Sequence, residues 1–195
     1  MLKEFLGEVP VGISNRHVHV SPEHLEVLFG PGYQLTVKKE LSQTGQYAAE
    51  ETVTIEGPKG SIANVRILGP TRSQTQVEVS RTDAFKLGIN PPVRDSGALE
   101  GSAPIKITGP KGSIELEEGA IIAHRHIHMD EATAERFSVK DKDIVSVVVD
   151  GVRGVVFRNV LIRVRHDFVL DMHIDTDEAN AAGLANGDLV KVYRD

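Results

Sequence analysis

The chain has 195 residues, of which 22 are lysine or arginine and 28 aspartate or glutamate, a formal net charge of −6 with the eight histidines neutral. That balance argues against a protein whose main task is wrapping nucleic acid or lying on an anionic membrane. The absence of cysteine removes disulfides, thiolate zinc fingers, iron–sulfur clusters and any cysteine nucleophile.

Residues 1–15 are expected as an ordered N-terminal arm. Leu2, Phe5, Leu6 and Val9 make too short a pattern for a helix, and the segment lacks the apolar core of a secretory signal. No stretch of the chain approaches the ~18 consecutive apolar residues of a membrane span, so a soluble cytoplasmic protein is expected. Ser21-Pro22 followed by Leu25, Val27, Leu28 and Gly30 reads as a short capped helix. Beyond it come runs of strand type: Thr52–Glu56, Ala63–Leu68, Thr75–Val79, Pro104–Thr108, Asp143–Asp150 and Gly154–Val164. Brief helical signals interrupt them at Asp83–Leu87, Asp130–Phe137 and Asp177–Ala182. The hexapeptide Gly-Pro-Lys-Gly-Ser-Ile occurs at Gly57–Ile62 and again at Gly109–Ile114, each time between two strand-type runs, as a hairpin turn would.

The chain looks duplicated. Arg16-His17-Val18-His19 corresponds to Arg125-His126-Ile127-His128, and Asn64-Val65, Gln76–Val79 and Asp83-Ala84 recur 95 residues later as Asn159-Val160, Asp171–Ile174 and Glu178-Ala179. The predicted architecture is mainly β: two similar small β-barrel domains capped by short α-helices. The expected divisions are an arm at 1–15 packing on the second barrel, a first barrel at 16–123 and a second at 124–195.

Residues i and i+2 of a strand share a face, so His17 with His19 and His126 with His128 can each aim two imidazoles at one point. The duplication sets Glu78 in the first module where His173 stands in the second. Each half thus offers three ligands of the kind that bind zinc, with a coordination position left open, as in catalytic rather than structural sites. Should the modules face one another, the two sets would form a dinuclear site. His124 is a reserve ligand, His24 a solvated helix residue and His166 part of a basic turn. Arg72, six residues before Glu78, suits a tetrahedral oxyanion such as phosphate, with Lys39, Lys59 and Arg66 adding positive charge nearby in sequence. Glu23 imitates the third ligand of a cupin, but it opens a helix where a cupin has a strand. A TIM-barrel hydrolase needs ~250 residues.

The segments Gly12–His19, Gly69-Pro70-x-Arg72 through Glu78 to Asp83, Arg125–Met129 and Asp171–Asp175 together resemble the phosphotransacylases of the phosphate propanoyltransferase type, a match running from about Val9 to the C-terminus. The resemblance implies two barrel domains, a homodimer and a site with two divalent metals, normally Zn2+. His17, His19 and Glu78 would hold one ion, and His126, His128 and His173 the other. It further implies phosphate on Arg72 and coenzyme A on Ser14, Asn15, Lys59, Arg66 and Asn180. The expected reaction is acyl-CoA plus phosphate giving acyl phosphate plus CoA, with acetyl or propanoyl as the acyl group, and with no nucleic-acid or membrane partner. Family members packaged in bacterial microcompartments carry a longer N-terminal extension, so a free enzyme is expected. A two-metal thioester or phosphoester hydrolase, and a non-catalytic CoA- or anion-binding module, remain as alternatives.

Overall fold

The computed structural model describes residues 2–194; Met1 and Asp195, the outer ends of the first and last expected segments, lie outside them. In chain order the elements are β1 (Glu4–Ser14), β2 (His17–His19), α1 (Pro22–Phe29), β3 (Val37–Glu40), β4 (Tyr47–Gly57), β5 (Gly60–Gly69) and β6 (Gln76–Glu78). There follow α2 (Arg81–Leu87), β7 (Val93–Arg94), β8 (Ala103–Thr108), β9 (Ser113–Ala123), β10 (His126–Met129) and α3 (Glu131–Arg136). The last are β11 (Ile144–Val149), β12 (Val155–Val164), β13 (Asp171–Asp175), α4 (Thr176–Ala182) and β14 (Leu189–Arg194).

The chain divides into two compact units, one of Asn15–Leu41 and Gly45–Ala123, the other of Met1–Ser14, Ser42–Thr44 and His124–Asp195. In the first, β4, β5, β2, β6, β9 and β8 pair in that order and β8 pairs back to β4, closing a six-stranded barrel. In the second, β11, β12, β10, β13, β1 and β14 close in the same order. Parallel and antiparallel pairings match strand for strand: β2 runs parallel to β5 and antiparallel to β6, as β10 does to β12 and β13. Closure removes sheet edges, which lets barrels of short strands stand alone. Each core is aliphatic, with Val18, Ile55, Ile67 and Ile107 at the centre of the first and Ile127, Val147, Ile162 and Met172 at that of the second.

The N-terminal segment expected as an arm is a full barrel strand. β1 pairs parallel with β13 and antiparallel with β14, burying Val9 and Val11 in the second core. Its alternation of buried and half-buried residues is of period two, too short a signal to separate from an arm by sequence alone. In the second barrel β1 holds the place that β9 holds in the first. Each copy of the duplicated unit therefore contributes its leading strand to the other copy's barrel.

Local chemistry explains the repeats. Asn64 and Asn159 both take positive φ (58° and 55°), a conformation asparagine tolerates better than most residues, within β5 and β12. The two hexapeptides are hairpin tips, and each also finishes a helix. The Lys59 N–H donates to the carbonyl of Leu87 in α2 (3.0 Å), and the Lys111 N–H to that of Leu28 in α1 (3.0 Å). These carbonyls have no partner within their helices. Glycine is required beside them, because a Cβ on Gly57 would lie 2.4 Å from the Leu87 oxygen and one on Gly109 2.6 Å from that of Leu28.

The helices start where their caps dictate. α1 is capped by Ser21 and stopped by Gly30, as the sequence predicts. α2 and α4 begin earlier than the expected starts at Asp83 and Asp177, because their caps are Ser80 and Asp175, with Asp83 and Glu178 the third residues of the two capping boxes. The same two acids bind the arginines that precede the H-x-H strands, Arg16 to Asp83 (2.8 Å) and Arg125 to Glu178 (2.7 Å), tying helix to H-x-H strand in each unit.

α2 offers an internal control on packing. Leu87 is fully buried and Phe85 is 84% exposed on the same helix. Leu87→Ala is expected to destabilise the protein by about 2–5 kcal/mol in urea denaturation, whereas Phe85→Ala should stay within about 0.5 kcal/mol.

Candidate functional site

Two triads stand out among the described residues, His17–His19–Glu78 and His126–His128–His173, each offering three ligand atoms within 4.8 Å of one another. Strand register assembles them. His17 sits directly across from Glu78 and His126 directly across from His173, while Val18 and Ile127 between the histidines point into the cores. His17, His19, His126 and His128 are all buried, which is unusual for histidine without a specific partner.

In the first barrel the His17 ring places Nδ1 2.8 Å from the Asn15 carbonyl oxygen. A carbonyl only accepts, so Nδ1 carries a hydrogen and Nε2 is the atom presented to the site. Nε2 lies 3.4 Å from Glu78 Oε2, and His19 Nε2 lies 3.9 Å from Glu78 Oε1. Tetrahedral zinc with bonds of about 2.0–2.1 Å sets its donor atoms about 3.3 Å apart, so the first of these spacings already fits. Gln76 Nε2 donates to Glu78 Oε1 (2.6 Å) and to Ser96 Oγ (2.9 Å), and Arg72 donates to the same hydroxyl (3.2 Å).

Electrostatics follows from this packing. Burial opposes a charged His17 ring, yet the charge and hydrogen bond of Glu78 prevail and hold its pKa above the ordinary value. His19 is pushed down to about 3, by burial first and then by the charges of His17 and Arg72. Glu78 resists the upward pull of burial, because the two imidazoles keep its carboxyl well below the usual carboxylate range. Arg72 opposes protonation of both rings, which places its charge at the triad.

In the second barrel His126 Nδ1 donates to the His124 carbonyl (2.8 Å), repeating the Asn15 arrangement. The rings of His126, His128 and His173 stand 4.6 to 5.2 Å apart, and Phe168 packs on His128 at 4.2 Å. His173 Nε2 lies 3.2 Å from Asp171 Oδ2, which leaves Nδ1 for an ion, and Asp171 also accepts from the Ser42 hydroxyl (2.6 Å). Burial and the neighbouring positive groups lower the pKa of His128 far below the ordinary value. His128 Nδ1 is one of two buried side-chain polar atoms without a hydrogen-bond partner among the described residues, Ser102 Oγ being the other. A bond from nitrogen to a metal ion is the interaction that satisfies such a ring when neutral. Both donor sets fit a divalent ion of zinc type, with two imidazoles and a carboxylate in one barrel and three imidazoles in the other.

The remaining expected site residues are placed less uniformly. Arg66 pairs across from His17, and its Nη1 donates to the carbonyls of Ala49 and Glu50 (3.0 and 2.7 Å). Lys59 sits at the hairpin tip seven residues away along β5, roughly 20 Å at strand rise, and its backbone caps α2. Asn15 is exposed in the first unit, with its side chain on the Arg16 N–H. Ser14 and Asn180 belong to the second unit, Ser14 at the end of β1 and Asn180 exposed on α4. The structure thus brings Arg72 to the first triad, with Asn15 and Arg66 beside His17. His124 is not part of the second triad, and its Nε2 donates to the Asn159 carbonyl (2.7 Å). His24 is held by Thr75 (2.7 Å) rather than solvated. Sequence reasoning gave no role to Gln76, Ser96 and Asp171. Of these, Gln76 and Asp171 carried a usable signal, since they recur at the common offset beside the third ligand.

A family model described as phosphate propanoyltransferase matches residues 10–185. A phosphate propanoyltransferase of Thermotoga maritima is 65% identical over 183 residues, covering 93% of this chain and 87% of that protein. Proteins of the same name from Lachnoclostridium phytofermentans and Salmonella typhimurium are 59% and 54% identical, covering 94% and 91% of this chain and 86% and 85% of theirs.

The raised pKa of His17 sets a pH dependence for metal uptake. Below that value the ring carries a proton that an ion must displace, and above it the ring is already neutral. Zinc added to chelator-stripped protein is expected to release fewer protons per chain as the pH is raised through the His17 pKa, measured with an indicator dye in weak buffer.

Proposed function

The chain belongs to the phosphate propanoyltransferase family, and from that premise we propose that it catalyses acyl-CoA + phosphate ⇌ acyl phosphate + CoA, with propanoyl or acetyl as the acyl group. The observation that carries this reading is Arg72 standing at the His17–His19–Glu78 triad, fixed through Ser96 to the residue that holds Glu78. A guanidinium fork donates two parallel hydrogen bonds to a tetrahedral oxyanion and keeps its charge at every working pH.

Within this reading His17, His19 and Glu78 hold one divalent ion, and His126, His128 and His173 another, with zinc favoured by the nitrogen-rich donors. When bound, such ions supply Lewis acidity toward oxygen and sulfur. Arg72 binds phosphate and orients one of its oxygens toward the thioester carbonyl, so that attack is pre-positioned rather than dependent on chance collision. The new C–O bond forms as the C–S bond breaks, and the sulfur leaves with the bonding pair as CoA thiolate. The chain offers no cysteine to carry the acyl group on sulfur, and direct transfer in a ternary complex is the simpler route. CoA contacts at Ser14, Asn15, Lys59, Arg66 and Asn180, a homodimer and a cytoplasmic location belong to the same reading.

Thiol release from acetyl-, propanoyl- and butanoyl-CoA is expected to require phosphate or arsenate and to be lost on chelation and regained with zinc. Release independent of phosphate would make the protein a hydrolase and overturn the proposal. Arg72→Ala is expected to raise the KM for phosphate at least tenfold while leaving that for acyl-CoA within about twofold, an effect of about 1.4 kcal/mol or more on phosphate. Equal effects on both substrates would refute its assigned role.

A further inference from the structure

Gln76 and Asp171 occupy one position of the duplicated frame, 95 residues apart like Glu78 and His173. Each lies directly across from the second histidine of its H-x-H strand, His19 and His128 respectively, and two residues before the third candidate ligand. Both are buried. The hydrogen bond each makes to that third ligand runs in opposite directions in the two barrels. Gln76 donates its amide hydrogen to Glu78 Oε1 (2.6 Å), whereas Asp171 Oδ2 accepts from His173 Nε2 (3.2 Å).

Neighbours fix both orientations. The Gly97 N–H donates to Gln76 Oε1 (2.7 Å), so the NH2 end must face Glu78; flipped, the amide would set oxygen against carboxylate. With Oε1 of Glu78 thus occupied, Oε2 is the oxygen left toward His17. On the other side Ser42 Oγ donates to Asp171 Oδ2 (2.6 Å), and Gly12 leaves room for the carboxylate, since a Cβ there would lie 2.9 Å from the same oxygen. His173 is then locked with Nε2 as donor and Nδ1 free to ligate.

We propose that Gln76 and Asp171 are a matched pair of positioning residues, the polarity of each set by the ligand it serves: an amide donor behind a carboxylate ligand, a carboxylate acceptor behind an imidazole ligand. The proposal rests on reading the two triads as metal sites. A partner behind the ligand fixes its tautomer and orientation, and its loss costs about 10- to 100-fold in metal affinity. It follows that ligand and partner must change together for a site to convert from one donor set to the other.

The test measures zinc affinity of chelator-stripped protein against a chromophoric chelator, with the visible spectrum of the cobalt-substituted protein counting sites. Thermal unfolding of each metal-free variant checks that it is folded. Asp171→Asn is expected to weaken one of two sites about 10- to 100-fold, and Gln76→Glu to weaken the other similarly, so that if either variant fails to fold the second carries the test. His173→Glu alone, which sets two carboxylates against each other, should bind poorly, and adding Asp171→Gln should recover at least tenfold. Folded variants that bind zinc like the wild type, or a double variant no better than His173→Glu alone, would overturn the positioning role. A wild-type protein that takes up no zinc would overturn the metal reading beneath it.

Discussion

The site depends on strand register. Two histidines separated by one residue share a face of a strand by geometry, but the third ligand comes from another strand and arrives only if the pairing is right. His17 against Glu78 and His126 against His173 are that pairing. A slip of one residue would turn the third ligand to the other face and bring Val77 or Val79, Met172 or Ile174, to the imidazoles instead. These four aliphatic residues anchor the register, because they are buried in the cores and a slip would expose them. The cores thus stabilise the ligand geometry as well as the fold, and the polar face needs little binding energy of its own to stay assembled.

On one frame the two barrels present different electrostatics. A divalent ion on two imidazoles and a carboxylate keeps a net charge of about +1, and on three imidazoles about +2. With an ion bound, the all-imidazole set would carry the larger positive charge, while the set containing Glu78 has Arg72 beside it. On matching strand pairings the duplicated frame thus presents two inequivalent triads. The change at Glu78 is accompanied by the change at Gln76, which keeps a hydrogen-bonded partner behind the ligand in both barrels.

Much of this was legible in the sequence because the same physical demand recurred twice. Paired H-x-H strands and the positive-φ asparagines of β5 and β12 repeat at matched positions, and within the first barrel a glycine stands at each of two turns that meet a helix carbonyl. What stayed hidden depends on long-range pairing. Nothing in Glu4–Ser14 alone reveals that it closes the second barrel, since its partners Met172–Asp175 and Leu189–Arg194 lie more than 150 residues away. The helices α2 and α4 start before Asp83 and Asp177, because an acidic residue near a helix start reads equally as N-cap or as a first-turn residue, and only the Ser80 and Asp175 side-chain bonds decide. Sequence likewise could not show that Arg66 Nη1 donates to the Ala49 and Glu50 carbonyls, or that the backbone of Lys59 finishes α2, because both contacts come from distant segments.

The exchange of leading strands gives the linkers a function beyond connection. β1 ends at Ser14 in one barrel, and three residues later His17 opens the ligand strand of the other; β9 ends at Ala123 and His126 follows at the same interval. In both linkers the first residue, Asn15 or His124, turns its carbonyl onto the Nδ1 hydrogen of the histidine two residues on, and the second, Arg16 or Arg125, ties down to a helix-capping acid. The carbonyl fixes the tautomer, so the ring offers Nε2 to its site. The chain entering each ligand strand is thus held by hydrogen bonds at one end and by a barrel strand at the other. A linker free to twist would release the imidazole from its tautomer even with every ligand residue in place. The short, polar, doubly bonded linkers Asn15-Arg16 and His124-Arg125 therefore belong to the ligand geometry as much as the histidines themselves.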